Sequence, residues 1–409
     1  MLSDAFGSIF PSLFLATLLI FAANYTLTLS SRAFIYVRFL LAPLSFLALW
    51  DASFSPYYHA QVPKNLTPMP IAFVFFAMMK TIDACIVSIW DDRPPRWVIH
   101  GKVAPLPINT SGRLAYAFDL TCAVRGTSWF HETYWDFTPS SIRSFQVKES
   151  PFTFAIQKLR TLLLTVLFLD VFDTLTKMRA WDTTLAHPIT SLPLHLRFFY
   201  TLCICAMLLP SLSIFNTAMA ALSVLLGSDP ASWPPLFNAP FSSTSVAELW
   251  TRRWHLTYRH TFGRMAHLPW LLASRYLSPR GANFVRITVI FFTSTLFHLA
   301  NIAWLQVDER HPHRIDWPMA FCFMAQPFGI MFEKALVLPL TQPMPAPLRD
   351  LVRRVWVWGF MLWTGSYFCD VWVRRGMCDR DGGGMNDSLI RRLNWGPWSP
   401  YVNWERAQV

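Results

Sequence analysis

Charged side chains are scarce in this sequence. They make up 14% of its 409 residues, whereas a soluble domain usually carries about 25%. The chain therefore lacks the polar surface that a water-soluble globule of this size needs. Hydrophobic residues make up 53%, and several apolar stretches have the length of about 20 residues that crosses a bilayer as a helix. The sequence predicts an all-α, polytopic integral membrane helical bundle.

Metal-binding patterns are also missing. The seven cysteines form no CxxC pair and no zinc spacing. A membrane desaturase holds two irons with several closely spaced histidines, and the closest histidine spacings here, His255 with His260 and His311 with His313, form no such box. We therefore expect no metal and no cofactor. Cys369 and Cys378 are candidates for a disulfide if the C-terminal tail is lumenal.

Signal-peptide features and internal repeats are absent as well. The first thirty residues have neither a basic n-region nor a small-residue cleavage site, so residues 9–29 are interpreted as a retained span. Transporters usually contain inverted repeats or paired broken helices. A membrane transporter is the alternative from another functional class, and the lack of internal repeats in this sequence does not favour it.

About eight transmembrane spans are predicted from the apolar stretches. The stretch 162–175 is short, which indicates a tilted or partly re-entrant helix. The stretch 196–226 exceeds one untilted span and is interrupted by Pro210 and Asn216, so it is either one kinked span or a helical hairpin. The remaining spans are residues 9–29, 33–50, 71–90, 283–307, 317–340 and 351–372. Residues 1–90 form the N-terminal helices and residues 91–409 the functional region of a single membrane domain.

Positive charge is concentrated in alternate connections between the spans. Residues 91–160, 227–283 and 341–354 are rich in Arg and Lys, which predicts that they are cytosolic and that the N-terminus is lumenal. The net charge of +11 is then explained by membrane lipids with anionic headgroups, and we expect no nucleic-acid partner.

Three glycosylation sequons fit this orientation differently. Asn65 and Asn386 fall on the lumenal side and are predicted to be glycosylated. Asn109 falls on the cytosolic side, where it would stay unmodified.

One histidine, His298, lies inside the apolar stretch 283–307. An ionisable side chain is costly at that depth and usually marks function. Burial favours the neutral imidazole, which is able to take a proton from an alcohol. Asn301 and Ser294 lie on nearly the same helical face and are candidates to orient the ring or to bind an oxyanion. The alternative is a core histidine that is hydrogen-bonded across helices.

A basic and aromatic run precedes that stretch. Guanidinium groups bind phosphates bidentately, and indole faces stack on adenine, so the run is a candidate site for a coenzyme A thioester. The alternative is a membrane-surface belt of arginines and interfacial indoles. The run contains Trp250, Arg252, Arg253, Trp254, His255, Arg259 and His260.

The run is part of a longer signature. Residues 249–255 read Leu-Trp-Thr-Arg-Arg-Trp-His, and they follow Trp-Pro-Pro-Leu-Phe at 233–237, Pro-Phe at 240–241 and Thr-Ser at 244–245. This order resembles the signature of wax-synthase-type membrane-bound O-acyltransferases, which typically reads Phe-Trp-x-Arg-Arg-Trp-His. Leu at 249 and Thr at 251 depart from the pattern, and both changes are mild.

Three further blocks resemble the same family in the same order. Arg-Gly-Thr-Ser-Trp at 125–129 is similar to its upstream Arg-Gly-x-x-Trp block. Residues 292–298 are similar to the helix that carries the family's active-site histidine. Residues 323–330, with Glu333, are similar to the helix that follows. The resemblance covers residues 125–340.

The resemblance implies a function. The family fold is a helical bundle around a tunnel, which acyl-coenzyme A enters from the cytosol and a lipophilic alcohol enters from the bilayer. By motif match, His298 has the catalytic role and His255 is its partner. The chain looks like the fungal members that acetylate terpenoid, meroterpenoid or polyketide metabolites, and we expect it in the endoplasmic reticulum membrane. A long-chain wax-ester synthase is the alternative.

Overall fold

The chain folds almost entirely into helices. The structure, a computed structural model, describes residues 2–54, 68–130, 132–143, 145, 147, 149–254, 256–304, 315–378 and 388–393. Its α-helices are α1 (Leu2–Thr26), α2 (Ala33–Phe54), α3 (Pro68–Cys85), α4 (Thr110–Cys122), α5 (Ser140–Arg143), α6 (Pro151–Thr176), α7 (Leu194–Leu225), α8 (Val246–Glu248), α9 (Arg259–Met265), α10 (His267–Tyr276), α11 (Pro279–Trp304), α12 (Trp317–Phe332), α13 (Leu338–Thr341), α14 (Ala346–Arg374) and α15 (Leu389–Arg392).

Shorter elements connect these helices. Three 3-10 turns are Val87–Trp90, Pro230–Ser232 and Pro240–Ser242, and two π-helical turns are Leu249–Arg253 and Glu333–Val337. Strands β1 (Trp97–Ile99), β2 (Lys102–Val103) and β3 (Thr133–Trp135) form one small antiparallel sheet in the order β2-β1-β3.

Six of the described helical segments are long and apolar enough to cross a membrane. They are Ala33–Ser53, Ala72–Trp90, Pro151–Thr176, Leu194–Leu225, Pro279–Ala303 and Trp317–Thr341. The predicted all-α membrane architecture is therefore confirmed, and the protein is an integral membrane protein. The count of eight spans and the tunnel stay predictions.

Two expectations about spans are resolved by the helix boundaries. The stretch 196–226 is one helix, α7, with Pro210 inside it. The stretch 162–175 was predicted to be short, and this is wrong, because α6 already begins at Pro151. Its start is fixed by Ser150, whose hydroxyl accepts a hydrogen bond from the Thr153 N–H at 3.2 Å, the usual geometry of an N-cap.

Contacts divide the chain into two compact units. The first comprises Met1–Lys148, Ser228–Pro235 and Trp254–Trp304, and the second comprises Glu149–Gly227, Leu236–Arg253 and Leu305–Val409. Each unit draws on three separate stretches of sequence. The predicted division at residue 90 stays a prediction.

In the first unit, α1, α2 and α3 pack together around small side chains such as Ala16 and Ala48. An aromatic cluster lies where the small sheet meets α4. There the fully buried ring of Trp135 on β3 lies 5.1 Å from that of Tyr116 and 5.8 Å from that of Trp97 on β1. Trp97 and Trp135 are directly opposite one another in the β1–β3 register, so strand pairing places both rings on this core.

In the second unit, α6 packs along α7, and α14 packs against both α7 and α12. Buried carboxylates tie connecting segments to these helices. Asp370 on α14 accepts hydrogen bonds from the backbone N–H groups of Ile189 at 2.6 Å and Thr190 at 3.0 Å. Such bonds offset the cost of burying the charge.

The proposed disulfide is not formed. Cys369 and Cys378 are both free thiols. The sulfur of Cys369, which lies on α14, is instead 4.0 Å from that of Cys205 on α7, and both sulfurs pack in the interior of the second unit.

Candidate active site

The Arg-Gly block at residues 125–129 forms a tight turn between α4 and β3. Gly126 has φ +81°, and a Cβ there would lie 2.7 Å from the hydroxyl of Thr138. Only glycine satisfies both conditions easily. The turn is also held by buried Asp119, whose carboxylate accepts from the Trp129 N–H at 2.7 Å and the Trp97 indole at 2.8 Å. This arrangement explains the glycine in the block.

Arg125 connects this block to the Trp-Pro-Pro segment. Its buried guanidinium donates to the carbonyl of Pro234 at 2.9 Å and to that of Pro235 at 3.3 Å. Burial lowers the pKa of Arg125 to about 10. Both segments belong to the family resemblance, but the contact between them was not predicted, because they lie more than a hundred residues apart in the chain.

His298 lies on α11 in the first unit and is half-buried. Ser294 and Asn301 are buried on the same helix, one turn before and one turn after it, as predicted from their spacing. The Asn301 amide donates to the carbonyl of Phe297 at 2.7 Å. An asparagine so bonded retains its side-chain oxygen as an acceptor.

The helix around His298 is fixed by aromatic packing. The ring of Phe297 lies 5.4 Å from that of Phe75 on α3, 5.2 Å from that of Tyr258 and 6.3 Å from that of Phe262 on α9. Tyr258 lies within the basic run and Phe262 follows it, so this packing sets the rotation of α11 relative to the end of that run. The orientation of the histidine is thereby restricted.

The residues of the basic run fall in different units. Trp250, Arg252 and Arg253 belong to the second unit, whereas Trp254 and Arg259 belong to the first. Arg252 and Arg259 are exposed. His255 lies outside the described residues, as do Asn65 and Asn386. The roles of all these residues stay predictions.

Arg253 is engaged within the protein. Its Nε lies 2.6 Å from the carboxylate of Glu248, and a terminal nitrogen donates to the Ser242 hydroxyl at 2.7 Å and to the Ala239 carbonyl at 3.3 Å. The same carboxyl group of Glu248 accepts from the Thr244 N–H at 2.9 Å. Arg253 therefore closes the segment from Ala239 to Glu248 into a compact loop.

Two buried side chains of the second unit hold the start of the run. Gln326 on α12 accepts from the indole N–H of Trp250 at 3.0 Å. Glu333 accepts from the backbone N–H of Val246 at 2.5 Å and from the indole of Trp356 at 3.1 Å. Both side chains are completely buried. Gln326 and Glu333 were predicted only as part of the family resemblance, without a role.

A polar cavity of about 170 Å³ lies inside the first unit. Arg264 on α9 donates to both oxygens of Asp91, and it also pairs with Asp83 on α3. His260 lies 3.8 Å from Asp83 and stacks on Phe137 at 3.7 Å. Burial lowers the pKa of His260 to about 4, so its ring is neutral at physiological pH. His260 was predicted as part of the run, and Asp83 was not predicted.

Comparison with known proteins agrees with the signature. Residues 233–324 match the model of the Membrane bound O-acyl transferase family. The chain is 38% identical over 80 residues to probable long-chain-alcohol O-fatty-acyltransferase 1 of Arabidopsis thaliana, covering 19% of this chain and 23% of that protein. It is 25% identical over 280 residues to acetyltransferase eriL of Hericium erinaceus, covering 66% of this chain and 69% of that protein.

A third relative extends the comparison. Acetyltransferase ataH of Aspergillus terreus is 30% identical over 150 residues, covering 35% of this chain and 48% of that protein. The chain thus spans less than half the length of two of these three relatives. The matched region contains the signature segment and α11 with His298. The resemblance to wax-synthase-like membrane-bound O-acyltransferases is therefore confirmed over the central part of the chain.

Proposed function

We propose that the protein is an acyl-coenzyme A-dependent O-acyltransferase, most simply an O-acetyltransferase that moves acetyl from acetyl-coenzyme A to a hydroxyl of a lipophilic metabolite such as a terpenoid, meroterpenoid or polyketide. The observation that carries this proposal is the half-buried His298 on a membrane-length helix inside the matched region. Acetyltransfer is favoured over long-chain transfer because the relative covering 66% of the chain is named an acetyltransferase.

The mechanism follows from the chemistry of a buried imidazole. Neutral His298 accepts the proton of the acceptor hydroxyl while the oxygen attacks the thioester carbonyl. The new ester bond forms as the carbon–sulfur bond breaks, and the proton passes to the departing thiolate of coenzyme A. Asn301, Ser294 and His255 are candidates to orient the ring or to stabilise the developing oxyanion. No metal and no resident cofactor takes part in this proposal.

A second candidate function is long-chain wax-ester synthesis. It is favoured by the name of the Arabidopsis relative, which is 38% identical over its short matched segment. Both functions share the same chemistry at His298 and differ in the length of the acyl group and in the acceptor alcohol. We place either activity in the endoplasmic reticulum membrane, with the arginine-rich connections facing cytosolic acyl-coenzyme A.

The test is acyl transfer in microsomes. The full chain is supplied with acetyl-coenzyme A or palmitoyl-coenzyme A, and with a panel of hydroxylated terpenoids and long-chain alcohols. Wild type is compared with His298→Ala and with His195→Ala, a matched change at an exposed histidine near the start of α7. We expect His298→Ala to lower the rate by about 10²–10⁴ at equal protein level, and His195→Ala to leave it unchanged. Near-wild-type transfer by His298→Ala would show that this histidine is structural.

A further inference from the structure

The two arginines at the centre of the basic run have different environments, and this difference points to different roles. We propose that Gln326 and Glu333 are positioning residues, which fix the 246–253 segment so that Arg252, and not Arg253, presents its guanidinium to the phosphates of acyl-coenzyme A. This inference rests on the proposed acyl-coenzyme A-dependent function. It assigns Arg252 to donor binding, and it assigns Arg253, Gln326 and Glu333 to holding the segment in place.

Glu333 fixes the first turn of the segment. Its carboxylate accepts from the N–H of Val246 at 2.5 Å and from that of Ala247 at 3.5 Å. These are N–H groups at the start of α8, which has no intrahelical partners for them. Ser245 caps the same turn by accepting from the Glu248 N–H at 2.8 Å. A buried carboxylate with several donors has a fixed position, and so has the turn that supplies them.

The backbone at Glu333 supports this assignment. A π-helical turn, Glu333–Val337, begins at this residue between α12 and α13. Such turns insert one extra residue into a helix, change the direction of its side chains and occur frequently at functional sites. Trp356 on α14 donates its indole N–H to the same carboxylate at 3.1 Å, which holds it from a second helix.

Gln326 fixes the segment one turn further on. It lies on α12 seven residues before Glu333, about two helical turns away. Its amide nitrogen donates to the Cys322 carbonyl at 2.8 Å and to the Thr364 hydroxyl at 3.2 Å. These two bonds leave the amide oxygen to accept from Trp250 at 3.0 Å. The segment is therefore attached to α12 both before and after Glu248.

Arg253 and Arg252 differ in how many of their guanidinium N–H donors remain available to a ligand. The guanidinium of Arg253 is occupied by Glu248, Ser242 and a backbone carbonyl, and its charge is compensated by that carboxylate. Arg252 is exposed, and successive residues of a helical turn point about 100° apart. An exposed arginine keeps the donor fork that binds phosphate oxygens bidentately. The geometry thus makes Arg252 the residue that contacts the donor.

The experiment measures acetyl-coenzyme A affinity by equilibrium dialysis of the full chain in detergent, together with the melting temperature. We expect Arg252→Gln to raise the dissociation constant about tenfold or more, because a charge-assisted bidentate contact is lost, with no change in melting temperature. Arg253→Gln should lower the melting temperature and raise the dissociation constant less than Arg252→Gln does.

A matched pair tests the positioning role. Trp356→Phe removes the indole N–H that reaches Glu333, whereas Trp358→Phe, on the same helix, removes one that donates to the carbonyl of Phe241 outside the segment. We expect the first change to weaken acetyl-coenzyme A binding severalfold and the second to leave it unchanged. Glu333→Gln, which keeps an acceptor oxygen, should retain more affinity than Glu333→Ala.

The outcomes are separable. The inference is overturned if Arg252→Gln stays within twofold of wild type, if Arg253→Gln raises the dissociation constant more than Arg252→Gln does, or if wild type does not bind acetyl-coenzyme A. Binding by wild type without transfer to any acceptor would instead overturn the proposed function and leave the donor-site assignment standing.

Discussion

At the scale of single residues, His260 shows how burial sets a charge state. Its ring stacks on Phe137, and burial lowers its pKa from 6.5 to about 4, helped by Lys80 and Arg264 and opposed by Asp83. The unfolded chain therefore binds more protons than the folded chain between about pH 4 and pH 6.5. The contribution of neutral, buried His260 to the free energy of unfolding is fully present above about pH 6.5 and is lost as the pH falls towards about 4.

The lowered pKa of His260 predicts that the stability of the protein decreases as the pH falls. Each pKa unit corresponds to about 1.4 kcal/mol, so the melting temperature of the detergent-solubilised protein should fall as the pH drops from 7 to 4.5. The variant His260→Phe keeps an aromatic ring against Phe137 but does not titrate, and its melting temperature should fall less over the same interval. Parallel curves for the two proteins would contradict the assignment.

For Arg125, the cost of burying the charge is comparable with the gain from its hydrogen bonds to two carbonyls. Its pKa falls from 12.5 to about 10 through burial alone, which corresponds to roughly 3 kcal/mol of desolvation cost. Its bonds to Pro234 and Pro235 satisfy two carbonyls, and an unsatisfied buried acceptor costs about 1–3 kcal/mol. We therefore expect Arg125→Met to change the free energy of unfolding only slightly.

The same variant should have a clear local effect. Without the guanidinium, the Trp-Pro-Pro segment loses two hydrogen bonds to the turn at Arg125. The bonds that remain nearby are that of the Ser232 hydroxyl to the Ser128 carbonyl and that of the Glu132 N–H to the Asp229 carboxylate. Hydrogen exchange of the peptide around residues 230–240 should be faster in Arg125→Met than in wild type, at nearly equal melting temperature. A large loss of melting temperature would show instead that the two carbonyl bonds outweigh the desolvation cost.

The candidate site residues show what could be predicted from the sequence alone. Spacing correctly placed Ser294 and Asn301 one turn on either side of His298. It did not separate Arg252 from Arg253, because adjacent arginines look alike until the partner is known. That partner, Glu248, lies only five residues away, yet it pairs with Arg253 through a π-helical turn, which hydrophobic periodicity does not reveal.

At the scale of elements, the contact between α12 and α14 depends on glycine. A Cβ at Gly329 would overlap the ring of Phe360, whereas a Cβ at Gly359 would meet nothing within 4 Å. Gly329→Ala should therefore lower stability by about 1–3 kcal/mol through overpacking. Gly359→Ala should raise it by up to about 1 kcal/mol, because alanine favours the helix.

The two glycine variants serve as controls for each other. Both add one methyl group to a helix of the second unit, and only their surroundings differ. Melting temperatures measured in the same detergent should move in opposite directions. Equal shifts would mean that the Phe360 ring moves aside without cost.

The start and end of a helix were predicted less well than its existence, and α6 shows the reason. Lys158 and Arg160 interrupt the apolar pattern, so hydropathy placed the start of the helix at 162. The backbone instead follows its capping residue, Ser150, and Pro151 at the first helical position. For α7 the length of 32 residues left a choice between a hairpin and a kinked span, and one proline without a turn signal did not end the helix.

At the scale of the whole molecule, the orientation in the membrane is open to a direct test. The asymmetry of Arg and Lys predicts a lumenal N-terminus and a cytosolic 91–160 connection. The Asn109 side chain caps α4 by accepting from the Gly112 N–H at 2.9 Å. We expect glycosidase treatment to detect glycans at Asn65 or Asn386 and none at Asn109. A glycan on Asn109 would reverse the orientation.

The arrangement of the site within the whole chain was beyond the reach of sequence reasoning. The run 250–260 reads as one continuous motif, but Trp250 bonds to Gln326 on α12, whereas Tyr258 packs against aromatic rings on α3 and α11. Motif resemblance identifies such residues without showing which helices hold them. The buried Arg125–Pro234 contact was missed for the same reason, since it joins two segments that are distant in sequence.

The pairing of Asp83 with Arg264 has a consequence for biosynthesis. The two residues are separated by 181 positions, and ribosomes add about 5–20 residues per second. A nascent α3 therefore enters the bilayer roughly 9–36 s before its arginine has been made. During that interval the carboxylate lacks its arginine and has Lys80 on the same helix as a charged neighbour, so we expect α3 to depend on an insertase or chaperone that shields it. Asp83→Asn would release the helix from this dependence during translation while depriving the finished protein of the ion pair.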